Sequence, residues 1–215
     1  YGLSRNECPI KCRYVNENNR IVFRADDEGQ DRSDEYQLKH EMALEMVQSA
    51  AGVLLSDYDK GFLTPEFIHR IVNLCLKRSI PCIAAVKREP KIYKGAIIKC
   101  NGEYNLVHGA DRLPFTADVV VTNGARDPFV CHLHRAVWGG RIGYGLGVNL
   151  PPITFVNHVG AGDCFAAHLT LALAYGFSLK EAAAVAHSAG RVYVQFLHNR
   201  PPLPCEIAVD MLSAM

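Results

Sequence analysis

Gly160, Ala161, Gly162 and Asp163 stand in one short run, Gly-Ala-Gly-Asp-Cys-Phe, at the mouth of an alanine-rich segment with the composition of a helix. The first turn of a helix has backbone N–H groups without intrahelical acceptors and the positive end of the macrodipole, so it suits an anion. Glycines there let an anionic oxygen approach the backbone without meeting a Cβ. The same dipole favours the ionised form of a carboxylate in that turn. Asp163 would therefore stand as a base where a hydroxyl attacking the bound anion must lose its proton. A cradle for an anion beside a base is the minimum equipment for moving a phosphoryl group onto an alcohol. Taken alone, the run is also what a tight turn with a cap looks like. The surrounding elements decide between the two.

Those elements alternate. Residues 10 to 24 read as two short strands around the turn Asn16-Glu17-Asn18-Asn19, followed by a charged connector from 25 to 35. From Glu35 the spacing becomes helical, with Leu38, Met42, Met46 and Ser49 on one face. Gly52 breaks it before the apolar run Val53-Leu54-Leu55-Ser56. Thr64-Pro65-Glu66 has the order of a helix start, an N-cap hydroxyl, a first-turn proline and an acid. Phe67, Ile68, Ile71, Val72 and Cys75 supply the buried face of that helix. Further strand-like runs follow at 82–86, 96–98 and 118–121, then a hairpin and a Gly- and Pro-rich passage from Gly139 to Pro152. Ile153 to Val156 reads as a strand leading into the Gly-Ala-Gly-Asp run. Ser178-Leu179-Lys180-Glu181 is a capping box opening a last long helix. Strands separated by helices at this spacing imply βαβ units and a mainly parallel sheet.

With 215 residues, 49% of them hydrophobic, the chain can bury one sizeable core. Lys plus Arg (23) balances Asp plus Glu (22), so no overall field recruits nucleic acid or an anionic membrane. Eight widely spread cysteines read as reduced thiols of a cytoplasmic protein rather than a disulfide framework. No apolar run reaches transmembrane length. Cys131-His132-Leu133-His134 lacks a second ligand pair at zinc spacing. The glycines from Gly139 to Gly147 are not followed by a helix, because Pro151-Pro152 intervenes, so they read as a connector rather than a dinucleotide loop.

The run Gly160-Ala161-Gly162-Asp163-Cys164-Phe165 resembles the C-terminal signature of the ribokinase-like (PfkB) carbohydrate kinases, and the resemblance continues in family order over nearly the whole chain. Leu54-Leu55-Ser56-Asp57-Tyr58-Asp59-Lys60-Gly61 is similar to a segment of the heptose-phosphate kinase branch, which typically reads Ser-Asp-Tyr-Gly-Lys-Gly. Lys99-Cys100-Asn101 resembles the Lys-Pro-Asn segment before the nucleotide site, and Thr122-Asn123-Gly124 the Thr-x-Gly strand end at the nucleotide phosphates. Ala186-His187-Ser188-Ala189-Gly190 falls where the family lines its adenine pocket. Lys11-x-Arg13 and Phe23-Arg24-x-Asp26 resemble lid strands.

The resemblance implies a three-layer α-β-α ribokinase-like fold with a small β lid. It makes 1–215 a single kinase domain, with lid strands in 10–24, an α/β core over 36–215 and the family's N-terminal segment missing from this chain. It implies a cytoplasmic sugar kinase using ATP and Mg²⁺. Asp163 would be the base, and the N–H groups of Gly160, Ala161 and Gly162 the anion hole. Lys99, Asn101, Thr122, Gly124 and His187 would meet ATP, while Arg13 and Arg24 would meet a sugar or sugar-phosphate acceptor. A homodimer through the lid strands is implied as well.

Three departures bear on this expectation. Asn157-His158-Val159 stands where the family often has Asp-Thr-Thr, which leaves a monovalent cation open. The family's Asn-x-x-Glu element would put a Mg²⁺ glutamate at Tyr104, with Glu103 one position away. Ala84-Ala85-Val86-Lys87 replaces Val-Asp-Pro-Lys. These changes keep a second reading in play, a degenerate relative that binds nucleotide or sugar without efficient transfer. Fructose, ribose or a nucleoside remain alternative acceptors.

Overall fold

The computed structural model describes residues 10–17, 21–27, 36–102, 118–124, 126–132, 143–145, 150–198 and 200–213. Strands β1 (Ile10–Val15) and β2 (Ile21–Asp27) form an antiparallel ribbon of their own, with Arg13 opposite Arg24 and Tyr14 opposite Phe23. The second strand runs past the expected end at Arg24, pairing Ala25, Asp26 and Asp27 with Cys12, Lys11 and Ile10.

The main sheet has the order β3-β4-β5-β6-β7-β8. Strands β3 (Val53–Ser56), β4 (Cys82–Ala85), β5 (Ile97–Asn101) and β6 (Asp118–Asn123) are parallel. Strands β7 (Arg126–His132) and β8 (Gly143–Gly145) continue the sheet antiparallel. The glycine passage expected as a plain connector thus contributes Gly143–Gly145 to the sheet edge, where β7 offers a free ladder. Gly139, Gly140, Gly147 and His134 lie outside the described residues.

Helices α1 (Tyr36–Ser49) and α2 (Pro65–Arg78) cover one face of the sheet. On the other lie α3 (Ala161–Ala174) and α4 (Leu179–Tyr193), with α5 (Pro204–Leu212) against α4. The period-two alternation of β6 shows why this is three layers: Val119 and Val121 face α1 and α2, while Val120 faces α3 and α4. Strands buried on both faces read as continuous apolar runs, which is how they appear in the sequence. Thr64 caps α2 as expected, its hydroxyl accepting from the Phe67 N–H at 3.2 Å. Phe67, Ile68, Ile71, Val72 and Cys75 are all buried.

Two expectations are corrected. In α1 the inward face is not that of Leu38 and Met46, which are 71% and 69% exposed. Val47 is buried, Ala43 and Leu44 pack on the core, and the His40 ring stacks on Phe67 at 3.7 Å between centroids. The aromatic contact with α2 rotates the helix away from its most apolar stripe. Ile153 to Val156 is not a strand. Pro151 and Pro152 have no N–H to donate, and the N–H groups of Val156 and Asn157 both go to the Val194 carbonyl, at 2.7 and 3.1 Å. The run to the anion turn is therefore fastened to the end of α4. Cys75, Cys82 and Cys100 are buried, Cys164 is half-buried, Cys12 and Cys205 are exposed, and these six are free. No helix among the described residues is long and apolar enough to cross a membrane.

The start of α5 holds a pH-sensitive clasp. Arg200 donates twice to Glu206, at 3.0 and 2.6 Å, and the Leu203 N–H donates to the same carboxylate at 2.7 Å. Arg200 foremost, then the Leu203 N–H, hold the Glu206 carboxyl at about 2, against an ordinary 4.5. A depressed folded-state value gives stability that is complete above pH 4.5 and is lost as pH falls through about 2. Glu206→Gln should lower the thermal midpoint at neutral pH, and the difference should vanish near pH 2. Thermal melts across that range check it.

Candidate active site

Because β3 to β6 are parallel, their C-terminal ends share one edge of the sheet, the edge at which open α/β sheets bind ligands. Register places Ser56 beside Ala85, Ala85 beside Lys99, and Asn101 beside Thr122. The Thr122 hydroxyl donates to the Cys100 carbonyl at 3.2 Å. Gly124, at φ 59°, turns the chain from β6 into β7.

Above this edge α3 begins. Gly160 takes φ 87° at its N-cap, and a Cβ there would lie 2.6 Å from the Tyr193 hydroxyl. That hydroxyl donates to the Val159 carbonyl at 3.0 Å, and the Asn157 side-chain oxygen accepts from the Val159 N–H at 3.0 Å. Both backbone angle and space therefore require glycine at this position. The Ala161 N–H already donates to the His158 carbonyl at 3.2 Å. A Cβ on Gly162 would come within 3.2 Å of Lys99 Nζ, so the ammonium lies across the bare backbone of the helix start.

Asp163 follows in the first turn of α3, its carboxylate exposed, and Tyr58 donates to its Oδ1 at 2.7 Å. Burial pushes the Lys99 ammonium below its ordinary value, and the negative charge of Asp163 opposes that shift. Burial, with Asp163 adding to it, pushes the Cys164 thiol up to about 11. The thiol thus stays protonated at neutral pH and does not compete as a nucleophile. Burial also raises Tyr193, with Cys164 and Asp163 adding to it.

The loop carrying Tyr58 is held from below. Asp57 is buried, 3% exposed, and accepts from Arg88 Nε at 2.9 Å, from the Asp59 N–H at 2.7 Å, and from the Tyr93 hydroxyl. Arg88 Nη2 bonds both Asp57 and the Leu63 carbonyl. Burial, then the bond to Asp57, raise Tyr93 well above its ordinary value. Asp59 has φ 57°, at the position where the resembling branch has glycine. Aspartate is among the few side chains that tolerate this region, and Arg88 Nε lies 3.3 Å from its carboxylate. A cavity of about 720 Å³ between β3 and helices α1 and α2 shares Ser56, Asp57, Tyr58 and Lys60 with this loop.

The structure thus gathers Lys99, Gly162 and Asp163 at one point, with Gly160 and Ala161 in the same turn. It sets Asn101 beside Thr122 one strand along. His187 is buried on α4. Arg13 and Arg24 face each other in register on the β1–β2 ribbon. Glu103 and Tyr104 lie outside the described residues. Among the described residues no group of three or more His, Cys, Asp or Glu could hold a metal ion. Sequence reading gave no role to Tyr58, Tyr193, Arg88 or Tyr93. Tyr58 meets Asp163 across 105 positions, and no local spacing signals such a pair.

The fold is ribokinase-like, a mainly parallel sheet with helices on both faces, and the start of α3 stands at the C-terminal edge of that sheet. The model of the family "pfkB family carbohydrate kinase" matches residues 109–204 of this chain. "Bifunctional protein HldE" of Bradyrhizobium diazoefficiens is 30% identical over 212 residues, covering 87% of this chain and 40% of that protein. The HldE of Caulobacter vibrioides is 32% identical over 183 residues, covering 78% of this chain and 37% of that protein. This chain thus spans about two fifths of the length of these relatives. Among solved structures, a possible 1-phosphofructokinase from Thermotoga maritima superposes with a TM-score of 0.65 at 14% identity, over 94% of this chain and 68% of that one. Phosphofructokinase-2 from Escherichia coli gives 0.60 at 19% identity, over 84% and 62%. At such identities these two speak for the fold.

Proposed function

We propose that the protein containing this chain transfers the γ-phosphoryl group of ATP to a hydroxyl of a sugar or sugar phosphate. The observation carrying this reading is that Lys99 and Asp163 flank the bare backbone of Gly162 at the start of α3. A cation, free helix-start N–H groups and an exposed carboxylate at one point are what phosphoryl transfer needs, since positioning and charge stabilisation dominate its catalysis. Asp163 takes the proton of the attacking hydroxyl. The N–H groups of Gly160 and Gly162, and that of Ala161 once released from His158, hold the charge on the transferred group. Lys99, Asn101, Thr122 and Gly124 meet the nucleotide phosphates, and His187 lines the base pocket. Glu103 and the nucleotide phosphates would hold Mg²⁺, which would supply positive charge against theirs.

In this reading Arg13 and Arg24 contact the acceptor. The β1–β2 ribbon pairs with a second copy through its exposed aromatic face, where Tyr14 and Phe23 lie 5.6 Å apart. Light scattering of the full-length protein checks the dimer. The enzyme reading is checked by ADP release from ATP against a panel of sugars and sugar phosphates. We expect release that depends on one acceptor class. Tight ATP binding with no turnover on any of them would favour the degenerate relative instead, the reading motivated by Asn157, Ala85 and Tyr104.

A further inference from the structure

Asp163 is exposed in the first turn of α3, so nothing in its own helix fixes its carboxylate. Tyr58 does so from another part of the chain, its phenol 2.7 Å from Oδ1. That tyrosine is itself constrained on both sides. Lys87 Nζ lies 4.2 Å from its ring centroid, and the preceding residue is the buried Asp57, fixed by Arg88 and Tyr93. The backbone reversal at Asp59 and Gly61, with φ 57° and 83°, turns the loop back after the phenol has been presented. A loop pinned by a buried ion pair, and bearing one exposed hydroxyl on the base, is arranged for positioning rather than for packing.

We propose that Tyr58 is the positioning residue of the base: its hydroxyl holds Asp163 through Oδ1 and leaves Oδ2 to receive the acceptor proton. The inference rests on the kinase reading above and adds a residue to it. The bond is charge-assisted, so it fixes direction more firmly than a neutral one. The other groups facing Asp163 are Lys99 from β5, Tyr193 from α4 and Cys164 from its own helix. Tyr193 and Cys164 are raised and uncharged at neutral pH, so neither supplies a competing charge.

Tyr58→Phe in the full-length protein removes one oxygen and keeps the ring over Lys87. It should lower kcat by about tenfold, the scale of one lost positioning hydrogen bond. KM for ATP and the thermal midpoint should stay unchanged. A variant with kcat within twofold of wild type overturns the proposal. So does one whose kcat, ATP KM and thermal midpoint all deteriorate together, since that marks a structural role. Asp163→Asn in parallel separates the two claims. If it is inactive while Tyr58→Phe is normal, the kinase reading stands and this inference alone fails. If it is fully active, both fail.

Discussion

Asp163→Asn should reduce kcat for phosphoryl transfer by about 10²- to 10⁴-fold, the usual contribution of a positioned general base. Melting temperature should stay close to wild type. The expectation follows from what asparagine keeps and what it loses. Its side-chain oxygen can still accept from Tyr58, the bond seen at 2.7 Å. It cannot take a proton, and it carries no charge to set against Lys99. Because the carboxylate is exposed, little folding energy depends on it. ATP binding should survive, since Lys99 and the N–H groups of the helix start remain. Loss of the opposing charge leaves Lys99 with the burial effect alone, so its ammonium should be easier to deprotonate in the variant. Steady-state kinetics with direct measurement of nucleotide affinity tests both halves. Activity near wild type would remove Asp163 from the mechanism.

The placement of the candidate site at a helix start was legible because its residues are neighbours in sequence. Gly160, Gly162 and Asp163 fall in one turn, and a helix start gives them their meaning wherever it occurs. The parallel core was legible for a similar reason: Val119, Val120 and Val121 form an apolar run that only a strand covered on both faces explains. Side-chain partnership across the sheet edge was not. Tyr58 and Asp163 sit on different elements, and the carboxylate of Asp57 finds Arg88 and Tyr93 only after β3 and β4 pair. Helix α1 shows the same limit in the core. Its apolar stripe pointed to Leu38 and Met46, but the stack of His40 on Phe67 turned other residues inward. Ile153 to Val156 looked like a strand because its residues are apolar or β-branched, yet the N–H groups of Val156 and Asn157 go to the Val194 carbonyl at the end of α4.

Asp57→Ala should destabilise the protein by about 3–5 kcal/mol, the cost of removing one partner from a buried ion pair. Tyr93 is fully buried, and its hydroxyl would lose the carboxylate it donates to. Arg88, with its side chain 21% exposed, would keep the Leu63 carbonyl but lose its counter-charge. Tyr93 is cut off from bulk water, whereas Arg88 already touches it in part. Asp57→Asn should cost less, since its remaining oxygen can still accept from Arg88 and Tyr93, although its NH2 group then faces the Asp59 N–H donor. Urea titration of the two variants and of Arg88→Ala gives the comparison. The double variant Asp57→Ala/Arg88→Ala should cost clearly less than the sum of the single changes, because one charge no longer strands the other. A purely additive result would show that the two side chains do not act as a pair. The consequence reaches the site, because Asp57 precedes Tyr58 and its carboxylate also accepts the Asp59 N–H that shapes the turn. Asp57→Ala should therefore lower kcat even at temperatures where the variant is fully folded. A loss of stability with unchanged kcat would separate the buried network from the positioning of the base. Loss of both would tie the buried pair to Asp163 through one loop.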